Sequence, residues 1–359
     1  MSQLTPTIEF NKPYFLAGQD VEGKVSLNTQ KDAKVRKIVI KFVARTLNAW
    51  EDKGSKMKVT EGNHHLKAEE KYLEMEHLVW TPENEENVFP NGEYEWQFSF
   101  QLPKVCMPSF ESRFGHTRYF VEVEIDVPNW LDTVTAKAVT VYPTHEQTQL
   151  DDPVRVQSVE KMFCCNFINF KQGNANFTID IPKSGYLNGE VIAVNGFVEN
   201  HSRKELTELK IALIRRVAYR RDESKSVIKR KDGKVDSKLV DDVISEISVP
   251  VSILIGQSKE FRTEIPIPCL APSFETKYLD NSYFIRVSAA ASNFRSAAAY
   301  APFVIRLSSL SSAVYRNVAP PKWDTVVGGV ENTQSWTRNM KEKFVPIYPV
   351  YSNLPVFRL

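Results

Sequence analysis

Cysteine is scarce in this chain: four in 359 residues, with Cys164 and Cys165 adjacent and Cys106 and Cys269 far apart. That is no disulfide framework of the kind small secreted domains use, so reduced thiols are expected. The adjacent pair also lacks the spacing of a zinc knuckle or redox motif, and no metal is expected. No stretch approaches 18 uninterrupted apolar residues, and Met1 to Pro6 carries neither the basic start nor the apolar run of a signal peptide. A cytoplasmic location is expected. Charge of one sign is missing too, since 46 basic and 44 acidic residues leave a formal +2. Such a balance supplies no global field for nucleic acid, so no nucleic-acid partner is expected. The sequence contains no nucleophile elbow, phosphate-binding glycine loop or zincin helix, and neither an enzyme nor a cofactor is expected.

What is present is a soluble-domain composition, 42% hydrophobic and 25% charged, on a chain longer than single cores usually grow. One uncommon string occurs twice. Pro108-Ser109-Phe110-Glu111-Ser112-Arg113-Phe114, followed by Tyr119-Phe120-Val121, returns as Pro272-Ser273-Phe274-Glu275-Thr276-Lys277-Tyr278, followed by Tyr283-Phe284-Ile285. Pro272 lies 164 positions after Pro108, and Tyr283 lies 164 after Tyr119. An ungapped internal repeat of this kind makes the chain two copies of one domain. Phe110, Phe114, Phe274 and Tyr278 are expected in the core or at the domain junction.

The pattern within each copy is that of strands. Alternating apolar and β-branched residues mark Val21–Asn28, Val35–Thr46, Tyr72–Trp80, Tyr94–Leu102, Tyr119–Val127 and Ala136–Tyr142. The second half repeats this at Asn176–Ile181, Ile192–Asn200, Glu208–Tyr219, Ser245–Val251, Lys259–Ile265, Tyr283–Ala290 and Ala297–Arg306. Many short strands without interleaved helices predict an all-β chain, two tandem antiparallel β-sandwiches of immunoglobulin-like type. The expected division is 5–143 for the first domain, 144–170 for a polar linker, 171–306 for the second domain, and 307–359 for a flexible, extended tail.

These features together resemble the arrestins. The residues that carry the likeness are the Gly-x-x-Val-x-Gly-x-Val opening at Gly18–Val25, Leu102-Pro103-Lys104-Val105-Cys106-Met107-Pro108-Ser109-Phe110-Glu111, Gly185-Tyr186-Leu187-Asn188-Gly189-Glu190 and Leu270-Ala271-Pro272-Ser273-Phe274. The closer likeness is to the α-arrestins, or arrestin-domain-containing proteins, the group that includes the thioredoxin-interacting protein. The resemblance implies a cytoplasmic adaptor, recruited to plasma membrane or endosomes, that binds membrane-protein cytoplasmic tails and links them to HECT-type ubiquitin ligases through WW domains. The alternative is a signalling or structural scaffold without ligase coupling.

Three groups of residues are candidate sites. The family's ligase handle is a Pro-Pro-x-Tyr motif, which this sequence does not contain; the nearest strings are Pro320-Pro321-Lys322-Trp323, where Trp replaces the Tyr, and the candidate Tyr348-Pro349-Val350-Tyr351. It is either a degenerate WW ligand or, with Phe344 to Tyr348, a segment packed on its own domain. From Arg215 to Lys238 the chain holds ten basic and four acidic residues. Arg215, Arg216, Arg220, Arg221, Lys229, Arg230 and Lys231 are candidates for phosphate or anionic lipid, and so for peripheral membrane contact. Cys164 and Cys165 are candidates for S-acylation.

Overall fold

The computed structural model describes residues 4–51, 65–83, 86–128, 132–143, 152–164, 170–221, 237–291, 294–295, 297–305, 319–326, 343–354 and 356, and all regular structure among them is β. The first copy contains β1 (Thr7–Phe10), β2 (Tyr14–Leu16), β3 (Asp20–Thr29), β4 (Ala33–Lys34), β5 (Lys37–Glu51), β6 (His65–Trp80), β7 (Val88–Phe89), β8 (Gly92–Gln101), β9 (Phe110–Glu111), β10 (Gly115–Asp126) and β11 (Thr133–Tyr142). The second contains β12 (Val154–Cys164), β13 (Phe170–Ile181), β14 (Gly185–Tyr186), β15 (Val191–Ser202), β16 (Leu206–Arg220), β17 (Ser237–Ile253), β18 (Ser258–Pro266), β19 (Phe274–Glu275), β20 (Leu279–Ala290), β21 (Phe294–Arg295) and β22 (Ala297–Ile305). Two short strands follow, β23 (Lys322–Thr325) and β24 (Ile347–Val350).

Each copy is a sandwich of two sheets. In the first, β1-β3-β8 faces β2-β11-β10-β5-β6; in the second, β18-β15-β13-β12-β21 faces β14-β22-β20-β16-β17. Alternation along the strands decides which side chains meet between the sheets. In β3, Val21, Gly23, Val25 and Leu27 turn inward while Glu22 and Asn28 face water. Each sandwich encloses its own core, with Phe42, Phe100, Tyr119 and Val121 buried in the first and Phe177, Leu213, Tyr283 and Ile285 in the second. Tandem sandwiches are thus confirmed.

The repeat extends to single hydrogen bonds. The Tyr119 hydroxyl donates to Met107 O at 2.8 Å, and Tyr283, 164 positions on, donates to Ala271 O at 2.8 Å. In both copies an early strand pairs in parallel with the last one, β2 with β11 and β14 with β22. These bonds pin the strand to the loop before it, so the Pro-Ser-Phe segment is delivered to the same end of each sandwich.

Three boundaries differ from expectation. The residues of β12 fall within the expected linker 144–170, yet β12 lies between β13 and β21 in the second domain's sheet. Its apolar positions against the core are Val154, Val156 and Met162, with Ser158 and Glu160 between them and Val159 exposed on the other face, which hides the alternation. β6 starts at His65, seven residues before the expected Tyr72, because Lys67–Glu70 pair with Thr46–Ala49 on an edge where charged side chains are tolerated. The third is the tail. Its described parts are not a free extended chain: β23 and β24 pair with one another in antiparallel fashion and dock where the sandwiches meet.

Candidate functional site at the domain junction

The two Pro-Ser-Phe-Glu segments face each other across the junction. Phe110 and Phe274 meet edge to face, 5.0 Å between centroids at 73°, a geometry worth about 0.5–1.5 kcal/mol beyond area burial. Phe114 meets Tyr219 at 5.6 Å and 87°, and Trp50 lies 6.3 Å from the same ring. Asn48 clamps the domains with its side-chain amide, donating to Tyr278 O at 2.6 Å and Arg220 O at 3.0 Å. All four repeat aromatics thus lie at the junction, as expected. Buried together there are Trp50, Phe110, Tyr142, Val217, Tyr219, Cys269, Leu279 and, from the tail, Val326 and Tyr348.

The tail strands supply the third wall. Trp323 stacks on Tyr14 at 3.5 Å and 15° and meets the edge of Tyr142 at 5.6 Å. Tyr348 is fully buried and donates its hydroxyl to Ser109 O at 2.8 Å. Ile347 N–H donates to Thr140 Oγ1 at 3.2 Å, and Tyr351 N–H to Asn188 O at 3.0 Å. Cys269 Sγ donates to Asp324 O at 3.3 Å. Burial, with the Asp324 carboxylate second, pushes that thiol up to about 12. Burial likewise pushes Cys106 up to about 11 and lifts the Tyr348 phenol well above its ordinary range. Both thiols are therefore protonated at neutral pH and poor nucleophiles.

The candidate WW ligand is consequently inaccessible as it stands: Tyr348, Pro349 and Tyr351 are buried and Val350 is half-buried. Short apolar segments bracketing a proline pack readily into a junction already lined by aromatics. A WW domain would have to meet this segment after it leaves the junction.

The basic candidates are divided. Arg215, Arg216 and Arg220 sit on β16: register sets Asp242 opposite Arg215 and Asp241 opposite Arg216, while Arg220 reaches diagonally to Asp280, which is registered with Ala218. Arg215 binds Asp242 at 2.7 Å, Arg216 holds Asp241 through two bonds of 2.7 Å, and Arg220 holds Asp280 bidentately, one bond being 2.9 Å. Arg216 also lies over the Phe284 and Tyr300 rings at 4.8 and 5.6 Å. Arg215, Arg216 and Arg220 are thus held in ion pairs within their own domain, and Arg221 is buried, so these four are not the freely exposed cations that the sequence suggested. Lys229, Arg230 and Lys231 lie outside the described residues, as does Cys165. Cys164 is the last residue of β12.

Sequence reasoning gave no role to the residues that seat the tail: Ser109, Thr140, Asn188, Gly189 and Trp323. The Gly-Tyr-Leu-Asn-Gly-Glu string held the clue. Gly189 takes φ +93°, where glycine is favoured, and a Cβ on it would lie 1.9 Å from Tyr351 O.

Two sandwiches closed by the same repeated segment and sharing a junction core define an arrestin-type architecture. Comparison with known families agrees: residues 4–148 match the arrestin (or S-antigen) N-terminal domain and residues 171–310 the arrestin (or S-antigen) C-terminal domain. The chain belongs to the arrestin family. It is similar to arrestin domain-containing protein 17 of Caenorhabditis elegans, 29% identical over 297 residues, covering 78% of this chain and 66% of that protein. It is also similar to arrestin domain-containing protein 4 of Mus musculus, 26% identical over 201 residues, 54% of this chain and 48% of that protein. Arrestin domain-containing protein 5 of Homo sapiens is 23% identical over 210 residues, 57% of this chain and 59% of its own. The chain thus spans about half to two thirds of the length of these curated relatives. Membership of this group accords with an α-arrestin-like protein.

Proposed function

We propose that this chain is a non-catalytic adaptor that holds extended segments of membrane-protein cytoplasmic tails and links them to sorting or ubiquitination machinery. Family membership supports the class, and one surface feature carries the mode of binding. β1 is an edge strand, and beside it runs an open groove of about 410 Å³ bounded by Ile8, Ala136, Lys137, Ala138, Lys343 and Phe344. A groove with an apolar floor and two ammonium groups, one of which (Lys137) caps Ile8 O on the edge strand at 3.1 Å, suits an extended acidic or phosphorylated peptide. Proximity labelling in cells, comparing the chain with a Lys137→Glu/Lys343→Glu variant, tests this. Recovery of membrane-protein tails that weakens in the variant supports the adaptor; an unchanged set of neighbours removes the groove from the reading.

The buried state of Tyr348–Tyr351 favours a second reading, a scaffold without ligase coupling. Titrating WW domains of HECT ligases with the intact chain and with a peptide of residues 344–359, Tyr351→Ala as control, separates the two. Binding to neither partner leaves the scaffold.

A further inference from the structure

β6 ends its sheet. In the order β2-β11-β10-β5-β6 it pairs with β5 on one side and, among the described residues, with no strand on the other. A row of backbone N–H and C=O groups is thereby left open to another chain. Between two register shifts, residues 73–78 pair evenly with 39–44, which gives the edge a regular pleat. Leu73 and Met75 turn toward the core of the first sandwich. Glu74 and Glu76 turn the other way, opposite Val43 and Lys41, and both are exposed.

The two faces of this edge offer different chemistry. On the core side a slot of about 130 Å³ lies between β6 and the loop that follows β8, lined by Ala44, Tyr72, Leu73, Val105, Cys106 and Tyr119. Tyr72 and Val105 are 36% and 57% exposed, so the slot opens to solvent, with room for one aliphatic side chain. On the outer side Glu74, Glu76, Glu122 and Glu124 stand around Lys41, which is bound to Glu124. Lys71 holds Glu74 at 2.7 Å, an exposed pair of the kind that contributes little. Glu76 forms no ion pair among the described residues. The second domain provides an internal control. β17 is the matching edge, but its carboxylates Asp241, Asp242 and Glu246 are taken by Arg216, Arg215 and Arg286 of their own sheet. The acidic surplus belongs to β6, not to the duplicated fold.

We propose that the free edge of β6 docks an extended basic segment of a partner protein, one in which lysine or arginine alternates with aliphatic residues. A strand added to this edge presents its side chains to the two faces with period two. Those beside Glu74 and Glu76 meet carboxylates, and the one beside Leu73 meets the slot. Main-chain bonds supply affinity and the slot fixes register, as in other cases of strand addition. The same carboxylates oppose a second copy of this chain, because two β6 edges paired with one another set like charges side by side. The occupant is opposite in sign to the acidic or phosphorylated peptide suited to the groove beside β1, so the two segments do not compete. This inference goes beyond the adaptor reading and stands without it.

The probe is a fluorescein-labelled octapeptide in which valine and lysine alternate, titrated against the full chain by anisotropy at low salt. A block peptide, the valines first and the lysines after, has the same composition and charge without the period. The alternating peptide should bind about tenfold more tightly than the block peptide, and Glu74→Lys/Glu76→Lys should weaken it about tenfold or more. On its addition, amide exchange along residues 73–78 should slow, and modification of Cys106 by N-ethylmaleimide should slow about threefold or more. Equal affinity for the two peptides would reduce the contact to bulk charge and overturn the proposal. So would binding that survives in Glu74→Lys/Glu76→Lys, protection that falls outside residues 73–78, or no binding at peptide concentrations up to about 1 mM. Protection of 73–78 that appears on raising the protein concentration without peptide would assign the edge to a second copy, and overturns it as well. Should the charge reversal disturb folding, Glu74→Gln/Glu76→Gln keeps the shape and removes only the charge, and a weakening of about threefold is expected.

Discussion

The turn Leu16–Gln19 in the first domain and the turn Leu187–Glu190 in the second are the same structure put to different uses. In each, the fourth residue's side chain accepts the first residue's N–H, Gln19 from Leu16 at 3.1 Å and Glu190 from Leu187 at 2.8 Å. Gln19 is exposed and neutral. Glu190 is buried and held by Lys183 at 2.6 Å, with side chains 1% and 2% exposed. The first turn ends at solvent; the second underlies the docked strand through Asn188 and Gly189. A duplicated fold keeps its backbone bonds and diverges where a new element must be supported. A buried ion pair is a poor source of net stability but a rigid mount once formed.

The largest expected effect separates the two turns directly. Glu190→Ala leaves the Lys183 ammonium buried without its carboxylate and should cost about 3–5 kcal/mol in a urea titration. Gln19→Ala, at the exposed counterpart, should cost less than about 1 kcal/mol. Equal losses would break the comparison. The two glycines come next. Gly18→Ala and Gly189→Ala share the strain of positive φ, but only the second drives a Cβ into Tyr351 O. Gly189→Ala should therefore exceed Gly18→Ala by about 1–3 kcal/mol, the usual cost of overpacking.

A smaller effect concerns His116, which precedes Asp280 by 164 positions in the repeat. Asp280 is matched by Arg220, whereas both His116 ring nitrogens are buried without a partner among the described residues. Burial first, then the Arg118 and Arg45 charges, hold the imidazole well below its usual 6.5. The unfolded chain takes up a proton there below about pH 6.5 and the folded chain does not. Stability should be full above that pH and fall on acidification by at most about 1.4 kcal/mol per pH unit. Urea midpoints from pH 7.5 to 5.5 should show this slope, and His116→Phe should flatten it. The smallest effect tests the likeness of the copies. Tyr119→Phe and Tyr283→Phe each remove one hydroxyl bond, worth about 1 kcal/mol. The two losses should agree to within about 0.5 kcal/mol, because each hydroxyl has a second neighbour, Cys106 beside Tyr119 and Asn281 at 3.2 Å from the Tyr283 oxygen.

Much of this was legible in the amino-acid order. The repeat placed Phe110 and Phe274 at equivalent positions, and equivalent ends of two joined domains are where aromatics meet. Alternation along Tyr94–Leu102 exposed a half-buried strand, observed as β8. β12 escaped because Ser158 and Glu160 occupy inward-facing register on a strand whose pairing partner, not its own pattern, makes it a strand. The arginines of β16 looked like free charge because their partners, Asp241, Asp242 and Asp280, come from the two neighbouring strands and lie 25 to 60 positions away. The seat of the tail was the least legible feature. Tyr348 and Ser109 are 239 positions apart, and four residues around a proline carry no periodicity from which docking can be read.

The parallel pairing of an early strand with the last one sets an order on biosynthesis. β2 has no partner in its sheet until β11 has been made, and β14 none until β22. While the intervening hundred or so residues leave the ribosome, each nascent sandwich stands with one sheet unclosed, the condition in which chaperones are most needed. Residues 347–351 bond to both domains, so the junction is finished last of all. A ribosome that stalls between Ile305 and Ile347 therefore holds two completed sandwiches whose mutual seat is still empty.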